Sequence, residues 1–105
     1  MNQQVLLRKL QKMQKEMEET QKAIDETVFQ ATAGGVVTVE VYGTKELKAV
    51  KVSDDFEAES KEDLEMLGEM IVAASNEAYK QIDKTTQEKM GKYSALAGGF
   101  GGGLF

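Results

Sequence analysis

Leu6, Leu10, Met13, Met17, Thr20 and Ile24 are spaced 4, 3, 4, 3, 4, with Thr20 the one polar position. That is a heptad seam. The intervening residues are mostly Gln, Lys and Glu, all good helix formers. The pattern predicts a helix from about Asn2 to Glu26, with a length of about 37 Å at 1.5 Å per residue. Three heptads are marginal for an autonomous coiled coil, so the seam is expected to pack on another element. The period then changes to two. Thr27–Ala33 is rich in β-branched and aromatic residues, and Gly34-Gly35 follows as a turn signal. Val36–Tyr42 alternates, with Val37, Val39 and Val41 on one face and Thr38, Glu40 and Tyr42 on the other. Residues 43–46 form a hairpin-sized connection. Leu47–Ser53 reads as a third strand, with Val50 and Val52 on a common face.

Helical spacing returns from about Ser60 to Tyr93, without proline. Ser60 reads as an N-cap with Asp63 three residues on, and Glu62, Asp63 and Glu65 complement the helix dipole. Leu64, Leu67, Ile71, Ala74 and Ala78 make the expected buried stripe, bordered by Met70 and extended by Ile82. The small residues at Ala74 and Ala78 suit close approach by another backbone, and close packing is the expected reason for Gly68 inside a helix. A helix of this length, about 50 Å, overhangs a compact 100-residue globule, whose radius of gyration is about 13 Å. The expected fold class is therefore α+β: helix, three-stranded antiparallel meander, long helix, in an elongated chain or one covered by a partner. Residues 1–93 form one domain, and residues 94–105, rich in glycine, a flexible tail.

Charge changes the picture through its distribution. The chain carries −5 overall. Residues 54–77 hold one base and nine acids, whereas residues 1–24 hold five bases and three acids and residues 78–105 four bases and two acids. Acid is concentrated in one block, and both ends are mildly basic. Cysteine and histidine are absent, which removes disulfides, thiolate metal sites and the side chain that titrates nearest neutrality. No paired-carboxylate or nucleophile motif is present, so no enzyme, cofactor or metal is expected. Asp54, Asp55, Glu57 and Glu59 lack the glycine and spacing of a calcium loop. Gly34-Gly35 precedes a strand and lacks the Lys-Ser/Thr of a phosphate-binding loop. There is no apolar run long enough to span a membrane and no secretory signal, so a cytoplasmic location is expected.

Four motifs in order carry a resemblance. They are Met13-Gln14-Lys15-Glu16-Met17; Gly34-Gly35-Val36-Val37-Thr38-Val39-Glu40-Val41-Tyr42-Gly43 with Glu46-Leu47; Glu65 with Ile71–Ala78 (IVAASNEA); and Met90-Gly91 before a glycine-rich tail. Together they resemble the YbaB/EbfC family of bacterial nucleoid-associated proteins over essentially the whole chain, apart from a tail without proline. The resemblance implies a tweezer-like homodimer in the cytoplasm and nucleoid that binds double-stranded DNA with weak sequence preference through its terminal helices.

On that basis the expected DNA contacts are Arg8, Lys9, Lys12, Lys15 and Lys22, with Lys80, Lys84, Lys89 and Lys92 as a second set. Phosphate neutralisation is the expected mode, since no helix-turn-helix or zinc finger is present. The expected dimer interface combines the sheet (Val37, Val39, Val41) with Leu67, Ile71, Ala74 and Ala78. The rival reading is a protein–protein adaptor, in which the first helix uses its seam to recruit a helical partner. Neither reading involves a membrane or a small-molecule substrate.

Overall fold

The computed structural model describes residues 2–99. Its elements are α1 (Gln3–Glu26), β1 (Val28–Ala33), β2 (Val37–Tyr42), β3 (Leu47–Val52) and α2 (Lys61–Gly99). Element types and order match the hydrophobic pattern, with strand ends shifted by at most one residue. Asn2 caps α1, its side-chain oxygen accepting from the Gln4 N–H at 2.9 Å. Thr27 closes the other end: its N–H donates to the Ile24 carbonyl at 3.0 Å and its hydroxyl to the Ala23 carbonyl at 2.7 Å. The α2 start has the anticipated Ser60 cap, with the return bond from Asp63 reaching the residue before the cap. Ser60 Oγ accepts from the Asp63 N–H at 3.2 Å, and the Asp63 carboxylate accepts from the Glu59 N–H at 2.9 Å.

The far end of α2 corrects the expected boundary. The helix passes Tyr93 and Gly91 without a break and runs to Gly99, so residues 94–99 belong to it; residues 100–105 of the anticipated tail lie outside the described residues.

The strands form an antiparallel meander in the order β1-β2-β3. Val28 pairs with Tyr42 and Ala33 with Val37 across β1–β2, while Val37 pairs with Val52 and Val39 with Val50 across β2–β3. A register shift at Glu40/Val41 accommodates the β3 start. Gly34 and Gly35 make the first turn with φ +61° and +68°, a region that costs glycine nothing.

One sheet face is covered by α2. Phe29 and Ala31 of β1 and Val37, Val39 and Val41 of β2 form the core with Ala74, Ala78 and Ile82 of α2 and Ile24 of α1. The two alanines let the helix lie close to the sheet, so the backbone they were expected to admit is that of the strands. Of the residues expected at a dimer interface, Val37, Val39, Val41, Ala74 and Ala78 have no exposed surface within the single chain. Leu67 and Ile71 are only partly buried.

Cover stops short in two places. Leu47, Val50 and Val52 of β3 share the helix-facing side yet stay 50%, 37% and 42% exposed, because α2 lies over β1 and β2. Met70 packs at the β1–β2 turn beside Gly34. The first turns of α2 therefore project past the end of the sheet, leaving Leu64 of the expected buried stripe 56% exposed and Met66 beside it 53%. Gly68 likewise has nothing near it, so intrachain packing does not account for this glycine.

On the other sheet face Glu40 bridges Lys51 at 2.7 Å and Lys48 at 3.5 Å. The Lys51 hydrogen bond holds the Glu40 carboxyl below its ordinary value of 4.5. The whole chain measures 72 × 22 × 16 Å with a radius of gyration of 20.2 Å, well above the roughly 13 Å of a compact domain this size.

The α1–β1 corner is fixed by Gly43, whose N–H donates to the Thr27 carbonyl at 3.0 Å. A Cβ here would overlap the Ile24 carbonyl oxygen. Gly43→Ala is therefore expected to destabilise by about 3 kcal/mol or more, whereas Gly68→Ala, in open space, should stabilise by up to about 1 kcal/mol. Urea denaturation midpoints for the two variants check the contrast.

Candidate nucleic-acid interface

Beyond the sheet, α1 and the distal half of α2 run side by side as an antiparallel hairpin. Ile24 shares the core with Ile82, and farther out Thr20 Oγ1 meets the Tyr93 hydroxyl at 3.4 Å. Tyr93 is only 3% exposed. The polar interruption of the heptad seam is thus matched by a hydroxyl on the facing helix. Leu6, Leu10, Met13 and Met17 are half-buried along the same line. The seam is used within the chain at its Thr20–Ile24 end, which weakens the reading that it recruits a helical partner.

Arg8, Lys9, Lys12, Lys15 and Lys22 are all exposed. At about 100° per residue, Arg8, Lys12, Lys15 and Lys22 lie on the face opposite the seam, and Lys9 lies to its side. Packing of the seam against α2 therefore turns this stripe outwards. Glu19 falls within the same arc.

The second lysine set does not form one surface. Lys89 and Lys92 line an open cleft between the helices together with Glu16, Glu19 and Glu88. The Lys92 ammonium sits 5.0 Å from the centroid of the Tyr93 ring. Lys80 and Lys84 flank the buried Ile82 two residues away on either side, and both are exposed. Helical periodicity directs them away from the core and from α1. The nine basic residues thus divide into an outer α1 stripe, a cleft pair and an α2 pair. Sequence reasoning missed the cleft carboxylates, since only the α1–α2 pairing brings Glu16 and Glu19 opposite Lys89 and Lys92.

Charge is segregated along the molecule. The acidic residues 54–69 occupy the loop after β3 and the first turns of α2, next to the β1–β2 turn end of the sheet. The hairpin leaves from the other end, where Lys45 pairs with Asp83 at 2.9 Å. Over a 72 Å long axis, with a Debye length of about 8 Å at physiological salt, the acidic end does not cancel the field at the basic helix. Among the described residues no helix is long and apolar enough to cross a membrane.

Comparison with known proteins agrees with this geometry. The model of the YbaB/EbfC DNA-binding family matches residues 1–97. A nucleoid-associated protein of Agathobacter rectalis is 46% identical over 101 residues, covering 95% of this chain and 85% of the relative. Another, from Ligilactobacillus salivarius, is 37% identical over 95 residues, covering 90% and 89%. The crystal structure of the uncharacterized protein HP0035 from Helicobacter pylori superposes with a TM-score of 0.66 at 25% identity, covering 91% of this chain and 98% of that one.

The hairpin depends on the Tyr93 ring more than on its hydroxyl, because a 3.4 Å contact is long for an O–H···O bond. Tyr93→Phe is expected to cost less than about 1 kcal/mol, and Tyr93→Ala about 3–5 kcal/mol. Thermal unfolding of both variants, with amide exchange along α1, checks this; equal losses in the two would reverse the assignment.

Proposed function

The chain belongs to the YbaB/EbfC DNA-binding family, and we propose that it serves as a nucleoid-associated protein of the bacterial cytoplasm, binding double-stranded DNA non-enzymatically as a homodimer. The observation that carries this reading is the outward-facing stripe of Arg8, Lys12, Lys15 and Lys22, with Lys9 beside it, on a helix held away from the acidic end. Five cations on one exposed helix suit phosphate contact. They carry no base-reading geometry, so sequence preference is weak and the protein acts on nucleoid organisation and, through it, on gene expression. Lys80, Lys84, Lys89 and Lys92 are a secondary set on α2.

Homodimerisation is supported by the uncovered apolar rim. Leu47, Val50 and Val52 on an open edge strand, with the half-buried Leu67 and Ile71 on α2, are a surface that a single chain leaves wet. An edge strand of this kind invites pairing. Two chains joined there present two basic helices, and tethered contacts raise avidity without new chemistry.

Fluorescence anisotropy of a random duplex tests the DNA contact. Between about 50 and 200 mM salt, affinity is expected to fall by about 10³-fold for roughly six phosphate contacts. Lys12→Gln with Lys15→Gln should reduce the salt slope by about 2 without loss of helix signal. Absence of binding at low salt favours the adaptor reading, and strong protection of one discrete site would refute weak preference. For the dimer, sedimentation equilibrium should give twice the chain mass, and Val50→Asp should yield a folded monomer. A wild-type chain that stays monomeric at every concentration sinks the interface.

A further inference from the structure

Resting on the DNA-binding reading, we infer that Glu16 and Glu19 divide one basic surface into two and hold Lys89 and Lys92 in reserve, setting the affinity for DNA below what the hairpin's cations allow. Glu16 follows Lys12 by four residues and Glu19 follows Lys15 by four, so each carboxylate is one helical turn from a lysine of the α1 stripe. The same two carboxylates line the cleft whose opposite wall carries Lys89 and Lys92. They therefore stand between the α1 lysines and the α2 lysines on one side of the hairpin.

Their effect is electrostatic. Among the described residues the ion pairs within 4.0 Å join Lys45 to Asp83, and Lys48 and Lys51 to Glu40, all in the body of the molecule. The cleft lysines are not locked to the cleft carboxylates and remain exposed. They share the cleft with Glu16, Glu19 and Glu88, and charges within a Debye length of about 8 Å act on one another with little screening. A phosphate approaching Lys89 or Lys92 meets Glu16, Glu19 and Glu88 lining the same cleft. The attraction is offset there, while Arg8 and Lys9 nearer the tip lie farther along α1 from these carboxylates. Glu88, next to Lys89 and one helical turn before Lys92, is a third contributor to the same field.

The test is a charge-neutralising cycle read by anisotropy on a random duplex across a salt series. Glu16→Gln with Glu19→Gln should tighten binding on the order of tenfold at about 100 mM salt, and steepen the salt slope by about 1.8, the value for two added phosphate contacts. Adding Lys89→Gln and Lys92→Gln should abolish that gain. Asp54→Asn with Asp55→Asn, which removes the same charge from the distant acidic end, should give a much smaller gain. Wild-type binding with no change in the Glu16/Glu19 variant overturns the inference and leaves the DNA reading standing. So does a gain matched by the Asp54/Asp55 control, or one that survives loss of the cleft lysines. Failure of every form to bind at about 50 mM salt overturns both.

Discussion

The backbone contact between Gly43 and Ile24 governs the rest of the molecule. The β2–β3 connection passes so close to the end of α1 that only a hydrogen fits between them. Ile24, 1% exposed, is driven into the core from the same spot, and Thr27 bonds both to the helix it ends and to Gly43. A helix anchored only at its last turn could swing freely. Here the anchor sets its direction, so that α1 leaves the sheet alongside α2 and turns its seam inwards. The outward position of Arg8, Lys12, Lys15 and Lys22 follows from that anchor together with their helical phase opposite the seam.

Charge segregation adds a second layer. The acidic residues are consecutive in sequence, but their distance from the basic helix is a property of topology. The meander turns the chain back so that α2 begins at one end of the sheet and passes to the other. A chain with net charge −5 can in this way present the basic stripe of one helix to a polyanion and a negative end to everything else. The body between them is nearly neutral, its lysines 45, 48 and 51 being paired with Asp83 and Glu40.

Much of this was legible in the residues. Period-four and period-three spacing located the seam of α1, and strict alternation located β2 and its inward valines. The Ser60–Asp63 cap was readable because capping is local. What failed was inference about cover. Periodicity says that Val37, Val39 and Val41 share a face and that Leu64 lies on the α2 stripe, but not where the covering element begins and ends. The valines are covered by the chain's own helix, whereas Leu64, on the stripe by its spacing, lies beyond the sheet and stays exposed. The overrun of α2 to Gly99 has a related cause. Glycines at 91, 98 and 99 weaken a helix without ending it, and Ala95, Leu96 and Ala97 favour its continuation. The cleft was hidden because its two walls are far apart in the chain, as the Thr20–Tyr93 contact, 73 positions apart, illustrates.

The dimensions of 72 × 22 × 16 Å bear on how the protein behaves in flow. A rod drags more solvent than a sphere of equal mass, so it diffuses slowly and leaves a sizing column early. Its apparent mass on such a column exceeds the true 11.6 kDa before any second chain is involved. Hydrodynamic radius and stoichiometry are therefore decoupled for this shape, and light scattering reads the mass that elution volume exaggerates.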